Sequence, residues 1–127
     1  MNRKKIVQAA IGVTAVVAAG VSLIALAPSS VYVSTTGSDS NSCAQSAPCK
    51  TISKGIAVAQ AGDTVMVSSG VYREYVNVNK SITLQANGLV VIDGANLPAQ
   101  NGGGIINIPA TVTGATVQGF EIMNGSE

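Results

Sequence analysis

The sequence contains no histidine and no tryptophan, and its aromatic residues are three tyrosines and one phenylalanine. Without histidine the chain cannot form a Ser-His-Asp triad. With two cysteines and no histidine it also falls short of the four ligands that a structural zinc site usually has. The shortage of aromatic residues argues against a β-sandwich, because a sandwich core of this size normally contains large aromatic side chains.

Charge is also scarce, and its distribution predicts export. Only 10% of the residues are charged, and none lies between Lys5 and Asp39. The basic residues Arg3, Lys4 and Lys5 precede the apolar run 6–27, which is the order of a secretory signal peptide. Residues 1–30 are therefore predicted to be a signal peptide or an N-terminal membrane anchor, and the protein to be secreted or at the cell surface.

The cleavage position stays open. Ala25-Leu26-Ala27 has the small-x-small pattern of a cleavage site, but Pro28 would follow the cut and hinder the peptidase. Processing near Ser29 is an alternative. The apolar run is also long enough to cross a bilayer as a helix of about 20 residues, so a retained anchor is a second alternative. Contact with a membrane is predicted only through this N-terminal segment.

The remaining chain, from residue 31 onward, does not have the charge pattern of a nucleic-acid-binding protein. It has a formal charge of −2, and its basic residues are Lys50, Lys54, Arg73 and Lys80. A protein that binds phosphate backbones clusters lysine and arginine on one face. These four are scattered along the sequence, so nucleic acid is excluded as a predicted partner.

The two cysteines, Cys43 and Cys49, lie in a short polar stretch where Pro48 stiffens the backbone. In an exported chain this spacing favours a disulfide, with two free thiols as the alternative. A bridge closing so short a loop would stabilise the fold by about 2 kcal/mol on the chain-entropy model.

One helix is predicted over 51–61. Thr51 can cap its start, its apolar residues fall on one face, and Gly62 suits the left-handed position after its end. Gly55 in the interior lowers helix propensity by about 1 kcal/mol relative to alanine.

After Asp63 the pattern changes to short alternating runs that predict β-strands. The runs are 64–67, 75–78, 82–86, 90–92, 105–108 and 116–121. Asn87-Gly88 is the one candidate for a two-residue hairpin turn. Sandwich, barrel and solenoid are all compatible with such runs, but the small inward residues and a loose repeat of roughly 20 to 25 residues favour a solenoid. The predicted stack of strand centres is Val67, Leu84, Ile106 and Ile122, and the candidate asparagine ladder at the bends is Asn77, Asn79, Asn87, Asn107 and Asn124.

Several motifs carry a resemblance to a known family. They are Val31-Tyr32-Val33-Ser34-Thr35-Thr36-Gly37-Ser38-Asp39, Ala47-Pro48-Cys49-Lys50-Thr51-Ile52, Ala61-Gly62-Asp63-Thr64-Val65 and Gly70-Val71-Tyr72-Arg73-Glu74. In this order they resemble the opening of pectin lyase-like proteins. The resemblance implies an all-β fold, a right-handed single-stranded parallel β-helix, of which this chain has the N-terminal cap helix and the first rungs. The implied division is a cap at 31–62 and rungs at 63–127. The chain is expected to be a truncated product, with a short self-associating protein as the alternative.

The same resemblance implies two functions. The first is the N-terminal portion of an exported protein that acts on or binds polysaccharide, with pectate lyase-like β-elimination on uronate glycans if the full-length protein is an enzyme. The second is a non-enzymatic surface or adhesive β-helix that binds glycans. A full-length lyase could use calcium. Because no further cap follows the last predicted strand, self-association through the open C-terminal end is also expected.

The sequence does not identify catalytic residues. A uronate lyase needs a base and a cation that neutralises the substrate carboxylate, yet Asp63, Glu74, Asp93 and Glu121 lie in four separate segments. We therefore predict no metal or cofactor site in this segment and expect it to be inactive. Arg73, Lys54 and Lys80 are the available bases or carboxylate partners besides Lys50. The aromatic residues that could stack on sugar rings are Tyr32, Tyr72, Tyr75 and Phe120, but packing at the cap and bends is the favoured interpretation.

Overall fold

The structure, a computed structural model, describes residues 27–100 and 104–125. The predicted export segment lies almost entirely outside these residues. The described part contains one helix, α1 (Ile52–Val58), and six strands: β1 (Ser30–Val33), β2 (Thr64–Tyr72), β3 (Val76–Asn77), β4 (Thr83–Asp93), β5 (Ile106–Asn107) and β6 (Thr116–Met123). Within the described ranges, no helix has the length and apolar character needed to cross a membrane.

The strands form a parallel β-helix. β1, β2, β4 and β6 lie side by side in that order, and every pairing between them is parallel. β3 and β5 pair in parallel in a second, two-stranded sheet. The chain therefore passes along one wall, returns through the other and arrives one strand further on, which is the path of a solenoid. The predicted all-β fold, with a cap helix and stacked rungs, is confirmed.

The core is a set of aliphatic columns inside the coil. Val65 of β2 pairs with Leu84 of β4, and Leu84 pairs with Val117 of β6. Val65 and Leu84 are fully buried, whereas Val117 on the last strand is partly buried. Alternation of buried and outward residues along β1, β2 and the first half of β4 fixes which side chains enter the core.

The predicted stack of strand centres is wrong in its register. Leu84 belongs to the column of Val65, while Val67 pairs with Ala86. Ile106 pairs with Val76 in the second sheet, and Ile122 pairs with Ile92. The period also differs from the predicted 20 to 25 residues, because paired threonines are 19 residues apart from Thr64 to Thr83 and 33 apart from Thr83 to Thr116. The longer second rung contains the loop after β4, and a simple repeat count does not anticipate such a loop.

Asn87-Gly88, the one candidate for a two-residue hairpin turn, does not form one. Both residues lie within β4, where the pairing with β2 shifts register after Ser68. Gly88 has a φ of +98° at this bend, a backbone conformation that glycine adopts without strain. The bend turns one long strand around a corner of the coil, so the predicted runs 82–86 and 90–92 belong to a single strand.

The helix is shorter than predicted. It begins after the N-cap Thr51, whose hydroxyl accepts from the N–H of Lys54, and it ends at Val58 with Ala59 already extended. Gly62, at a φ of +95°, therefore lies in the turn before β2 and not at the helix end. The segment after the helix forms a turn held by Asp63, whose N–H donates to the carbonyl oxygen of Gln60 and whose Oδ2 accepts from the N–H of Gln60.

Gly55 allows α1 to lie close against the end of the coil. A Cβ added at this position would lie 2.6 Å from Cγ2 of Val33 and 3.1 Å from Cγ1 of Val65. Both valines are fully buried. The glycine that weakens the helix by propensity is therefore the residue that permits its packing as a cap.

One pair of the predicted asparagine ladder is present. Nδ2 of Asn107 donates to Oδ1 of Asn77 at 3.0 Å, and the two residues pair across β3 and β5. Asn124 instead bonds to Asp93, and Asn87 pairs with Ser68. The ladder is therefore a single rung-to-rung contact within the described residues.

Candidate functional site

The outward side chains of the four-stranded sheet form two rows that cross the strands. The first row contains Ser30, Thr64, Thr83 and Thr116, and the second contains Tyr32, Met66, Gln85 and Gln118. We call these eight residues the outer face. Seven of them are half-buried and Ser30 is exposed. None carries a charge, and sequence analysis did not single out this face, although a threonine at the start of three strands was a visible signal.

Hydrogen bonds hold part of the outer face in place. Nε2 of Gln85 donates to the carbonyl oxygen of Ala86 at 2.8 Å. Nε2 of Gln118 donates to Oε1 of Gln85 and links the last two strands of the sheet. Within the described chain, no hydrogen bond occupies the side-chain hydroxyls of Thr64, Thr83 or Thr116. The face thus presents neutral groups that can both donate and accept hydrogen bonds.

Of the four aromatic residues considered for stacking on sugars, only Tyr32 lies on the outer face. Tyr72 is 3% exposed, and its hydroxyl donates to the carbonyl oxygen of Ser68 at 2.8 Å. Burial, with a smaller effect of the Glu74 charge, raises the pKa of Tyr72 to about 12. The hydroxyl of Tyr75 donates to the carbonyl oxygen of Pro98, and Phe120 packs against the core.

The acidic residues considered for catalysis are used by the scaffold, beginning with Asp63. Its Oδ1 accepts from the N–H of Ser29 at 3.0 Å and its Oδ2 from the N–H of Gln60 at 2.9 Å. Burial opposes ionisation of Asp63, but these backbone donors and the charge of Lys80 outweigh it and lower the pKa of the carboxyl group. Asp63 therefore clamps the chain before β1 to the start of the first rung.

Two carboxylates accept hydrogen bonds from backbone N–H groups at the start of α1. Glu74 accepts from the N–H groups of Ile52 and Ser53, both at 2.8 Å, and from the hydroxyl of Ser53. Asp39 accepts from the N–H groups of Lys50 and Thr51 and from the hydroxyl of Thr51. Burial opposes ionisation of Asp39, but the bonds to Thr51 and Lys50 outweigh it and lower its pKa. Helix N-terminal amide groups favour negative partners, so both residues stabilise the cap.

Asp93 joins three successive rungs. It accepts from Nδ2 of Asn124 at 2.7 Å, from the N–H of Ala95 at 3.0 Å and from Nε of Arg73 at 3.2 Å. The Asn124 bond, followed by the Ala95 bond, lowers the pKa of Asp93. Because Arg73 extends into solvent, its ion pair with Asp93 contributes little stability by itself.

The cations are equally dispersed. Nζ of Lys80 donates to the carbonyl oxygens of Ile56, Ala57 and Ala59 and so caps the end of α1. Lys54 lies in α1, and Arg73 lies against Asp93. The structure therefore does not bring together the basic residues that were considered as bases or carboxylate partners. In residues 27–100 and 104–125, no three His, Cys, Asp or Glu side chains approach closely enough to hold a metal ion.

The predicted disulfide between Cys43 and Cys49 is present, and the two Cα atoms are 4.6 Å apart. Both cysteines are buried. The backbone of this loop bonds to β1, because the N–H of Tyr32 donates to Cys43 and the N–H of Cys49 donates to Tyr32. The disulfide therefore stabilises the loop against β1, the strand that carries Tyr32.

The fold and these contacts define a capped parallel β-helix protein with an uncharged outer face. The chain belongs to the family described as protein of unknown function (DUF1565), which matches residues 35–118. The matched segment includes the disulfide loop, α1, Asp63, Glu74 and Asp93. No curated protein matches the chain.

A similar solved structure is described as the complex structure of XylC with xylose. It is 39% identical to this chain, covers 51% of it, and superposes with a TM-score of 0.49. The present chain spans 12% of the length of that protein.

Proposed function

We propose that this chain is the N-terminal portion of an exported β-helix protein that binds or acts on polysaccharide. In this proposal the described residues supply the cap and a binding surface, while any catalytic groups lie on other rungs of the full-length protein. The observation that carries the proposal is the outer face, where threonine hydroxyls and glutamine amides form continuous rows beside one tyrosine. Sugar hydroxyls also donate and accept, so such a surface matches them.

The use of the ionisable residues supports a binding role for this segment. Asp39, Asp63 and Glu74 accept backbone hydrogen bonds around the cap, and Lys80 donates to the end of α1. These contacts give the four side chains a structural role at the cap. The resemblance to pectin lyase-like proteins adds the proposal that a full-length protein performs β-elimination on uronate glycans, with calcium as a candidate cofactor there.

A non-enzymatic surface or adhesive protein is the second candidate. It is favoured by the separation of the ionisable groups within residues 27–100 and 104–125, because glycan binding does not need such groups to converge. The two candidates share the outer face and differ in chemistry. If the full-length protein forms an unsaturated product from a uronate glycan, the lyase candidate is supported. If it binds the glycan and forms no product, the adhesive candidate is supported.

Affinity electrophoresis of the exported chain tests the shared proposal. We expect retardation in native gels that contain a soluble plant polysaccharide, relative to gels without it, and no retardation of a non-binding reference protein of similar charge. If none of a panel of neutral and acidic polysaccharides slows the chain, the proposed binding function is wrong.

A further inference from the structure

The chemistry of the outer face also identifies the class of polysaccharide. We propose that this face selects an uncharged, extended polysaccharide that lies across the strands, with successive sugar residues on successive rungs. This inference rests on the proposed polysaccharide binding, and of the two candidate functions it agrees with the non-enzymatic one, because a uronate lyase must bind a charged polymer. The inference extends that function by naming the charge and conformation of the polysaccharide and the direction in which the polysaccharide lies on the sheet.

The direction follows from the register of the strands. Thr64, Thr83 and Thr116 are direct partners on neighbouring strands, so their hydroxyls repeat at the strand spacing of about 4.8 Å. That spacing is close to the length of one pyranose residue in an extended chain. A polymer that crosses the strands therefore meets a new hydroxyl at each sugar, whereas a polymer along one strand meets a single outward threonine.

The second row of the outer face also crosses the strands, and its two ends differ in chemistry. Gln85 and Gln118 form an amide pair toward the last strand, while Tyr32 and Met66 occupy the positions nearer the cap. The amide pair is pre-organised, because Gln85 is held by Ala86 and Gln118 is held by Gln85. A tyrosine ring offers a sugar an apolar surface with a polar edge. The two rows together can contact both the hydroxyl groups and the ring face of a sugar.

The lack of charge selects against uronates. A carboxylate brought to this face loses water, and desolvation of an unpaired charge is costly. None of the eight residues is a cation, and Lys80 and Arg73 are directed to the end of α1 and to Asp93. A neutral sugar exchanges hydrogen bonds with water for hydrogen bonds with hydroxyls and amides without that cost.

Binding measurements with the exported chain test this inference. We expect hydroxyethyl cellulose or a neutral xylan to bind at least tenfold more tightly than polygalacturonate, with little change between low and high salt because no ion pair is formed. Dextran, a neutral but flexible polymer, should bind more weakly than the extended chains. Isothermal titration calorimetry or affinity electrophoresis provides the dissociation constants.

Substitutions locate the binding to the outer face. Thr83→Val removes a hydroxyl with little change in volume and should weaken binding about three- to tenfold, which corresponds to one lost hydrogen bond. Thr111→Val, at an exposed turn residue outside the sheet, is the matched control and should leave affinity unchanged. Gln85→Arg should raise the affinity for polygalacturonate, because it places a cation on the face. Circular dichroism confirms that each variant retains the fold.

The outcomes separate the inference from the proposed function. If the unaltered chain prefers polygalacturonate, the neutral-ligand inference is overturned while polysaccharide binding stands. If Thr83→Val binds as tightly as the unaltered chain, the outer face is the wrong surface. If no polysaccharide binds, both proposals are overturned.

Discussion

Asn124 donates a hydrogen bond from Nδ2 to Oδ1 of Asp93 at 2.7 Å and thereby joins one rung of the coil to the preceding one. Asn124 itself has a φ of +51°, a left-handed conformation that asparagine tolerates better than most residues. Nε of Arg73 reaches the same carboxylate from the rung before. The contact shows how acidic residues of this chain serve the solenoid, and it leads to a prediction about acid.

Acid should destabilise the fold through its aspartates. The pKa values of Asp39, Asp63 and Asp93 are lowered in the folded state. A lowered folded pKa contributes stability above the unfolded value of about 3.9, and that stability is lost as pH falls through the folded pKa. We expect the melting temperature to change little from pH 7 to about pH 5 and to fall below about pH 4. Thermal unfolding across this range measures it.

Asp63→Asn should reduce this acid sensitivity and lower stability at pH 7, because a carboxylate with two backbone donors is replaced by an amide with one acceptor oxygen. Glu121→Gln, at an exposed position of β6, is the control and should leave the profile unchanged. If the melting temperature of Asp63→Asn falls with acid as steeply as that of the unaltered protein, Asp63 does not contribute to the acid sensitivity.

Gly55→Ala should destabilise the protein although it raises helix propensity. The propensity gain is about 1 kcal/mol, whereas overpacking costs typically about 1 to 3 kcal/mol. The added Cβ would press on Val33 and Val65 in the core. Denaturant unfolding should therefore give a lower free energy of unfolding. Ala57→Gly, at an exposed helix position, is the control that changes helix propensity without contact with the core. It should lower the free energy of unfolding by about 1 kcal/mol. A more stable Gly55→Ala variant would refute close packing of the helix on the core.

Reduction of the Cys43–Cys49 disulfide should lower the free energy of unfolding by about 2 kcal/mol. The bridge closes a loop that bonds to β1, so its loss loosens the strand that carries Tyr32. Mass measurement after alkylation should show no labelled thiol in the native protein and two labels after reduction under denaturing conditions. Labelling of both cysteines without reductant would show that they are not paired.

The chain should not cleave polygalacturonate, even with added calcium. Elimination requires a base and a cation to be held together at the substrate. Asp63, Glu74, Arg73 and Lys80 are instead engaged at separate positions of the cap and bends. Absorbance of unsaturated product in the ultraviolet provides the assay, with an active pectate lyase as the positive control. Accumulation of that product would overturn the assignment of these residues to the scaffold.

The edge of β6 should promote self-association. Ile122 and Met123 are 49% and 50% exposed, while Ile92, the partner of Ile122 on β4, is fully buried. Exposed apolar strand edges pair readily with other chains. Ile122→Lys should shift sedimentation toward monomer. Val71→Lys, at a residue of equal exposure on the central strand β2, should not. An unaltered chain that sediments as a monomer at all concentrations would contradict this prediction.

Local patterns predicted the cap better than the stacking of rungs. Thr51 marked the helix start because N-capping depends on residues three positions apart. The partner of Lys80 was not predictable in the same way, since its bonds to carbonyl oxygens 21 to 24 residues earlier form only when the first rung closes. Alternation likewise identified Leu84 as inward without identifying Val65 as its neighbour. The outer face required that same register, so its rows could not be read from the sequence alone.

If an export peptidase removes the predicted N-terminal segment, the hydrogen bond from Ser29 to Asp63 makes the stability of the cap depend on where the peptidase cuts. A cut after Ala27 leaves Ser29 in place, with both its bond to Asp63 and the bond that its carbonyl oxygen accepts from Thr64. A cut after Ser29 removes both and leaves a buried carboxylate with one backbone donor fewer. Ragged processing would therefore divide the exported protein into populations with different unfolding temperatures.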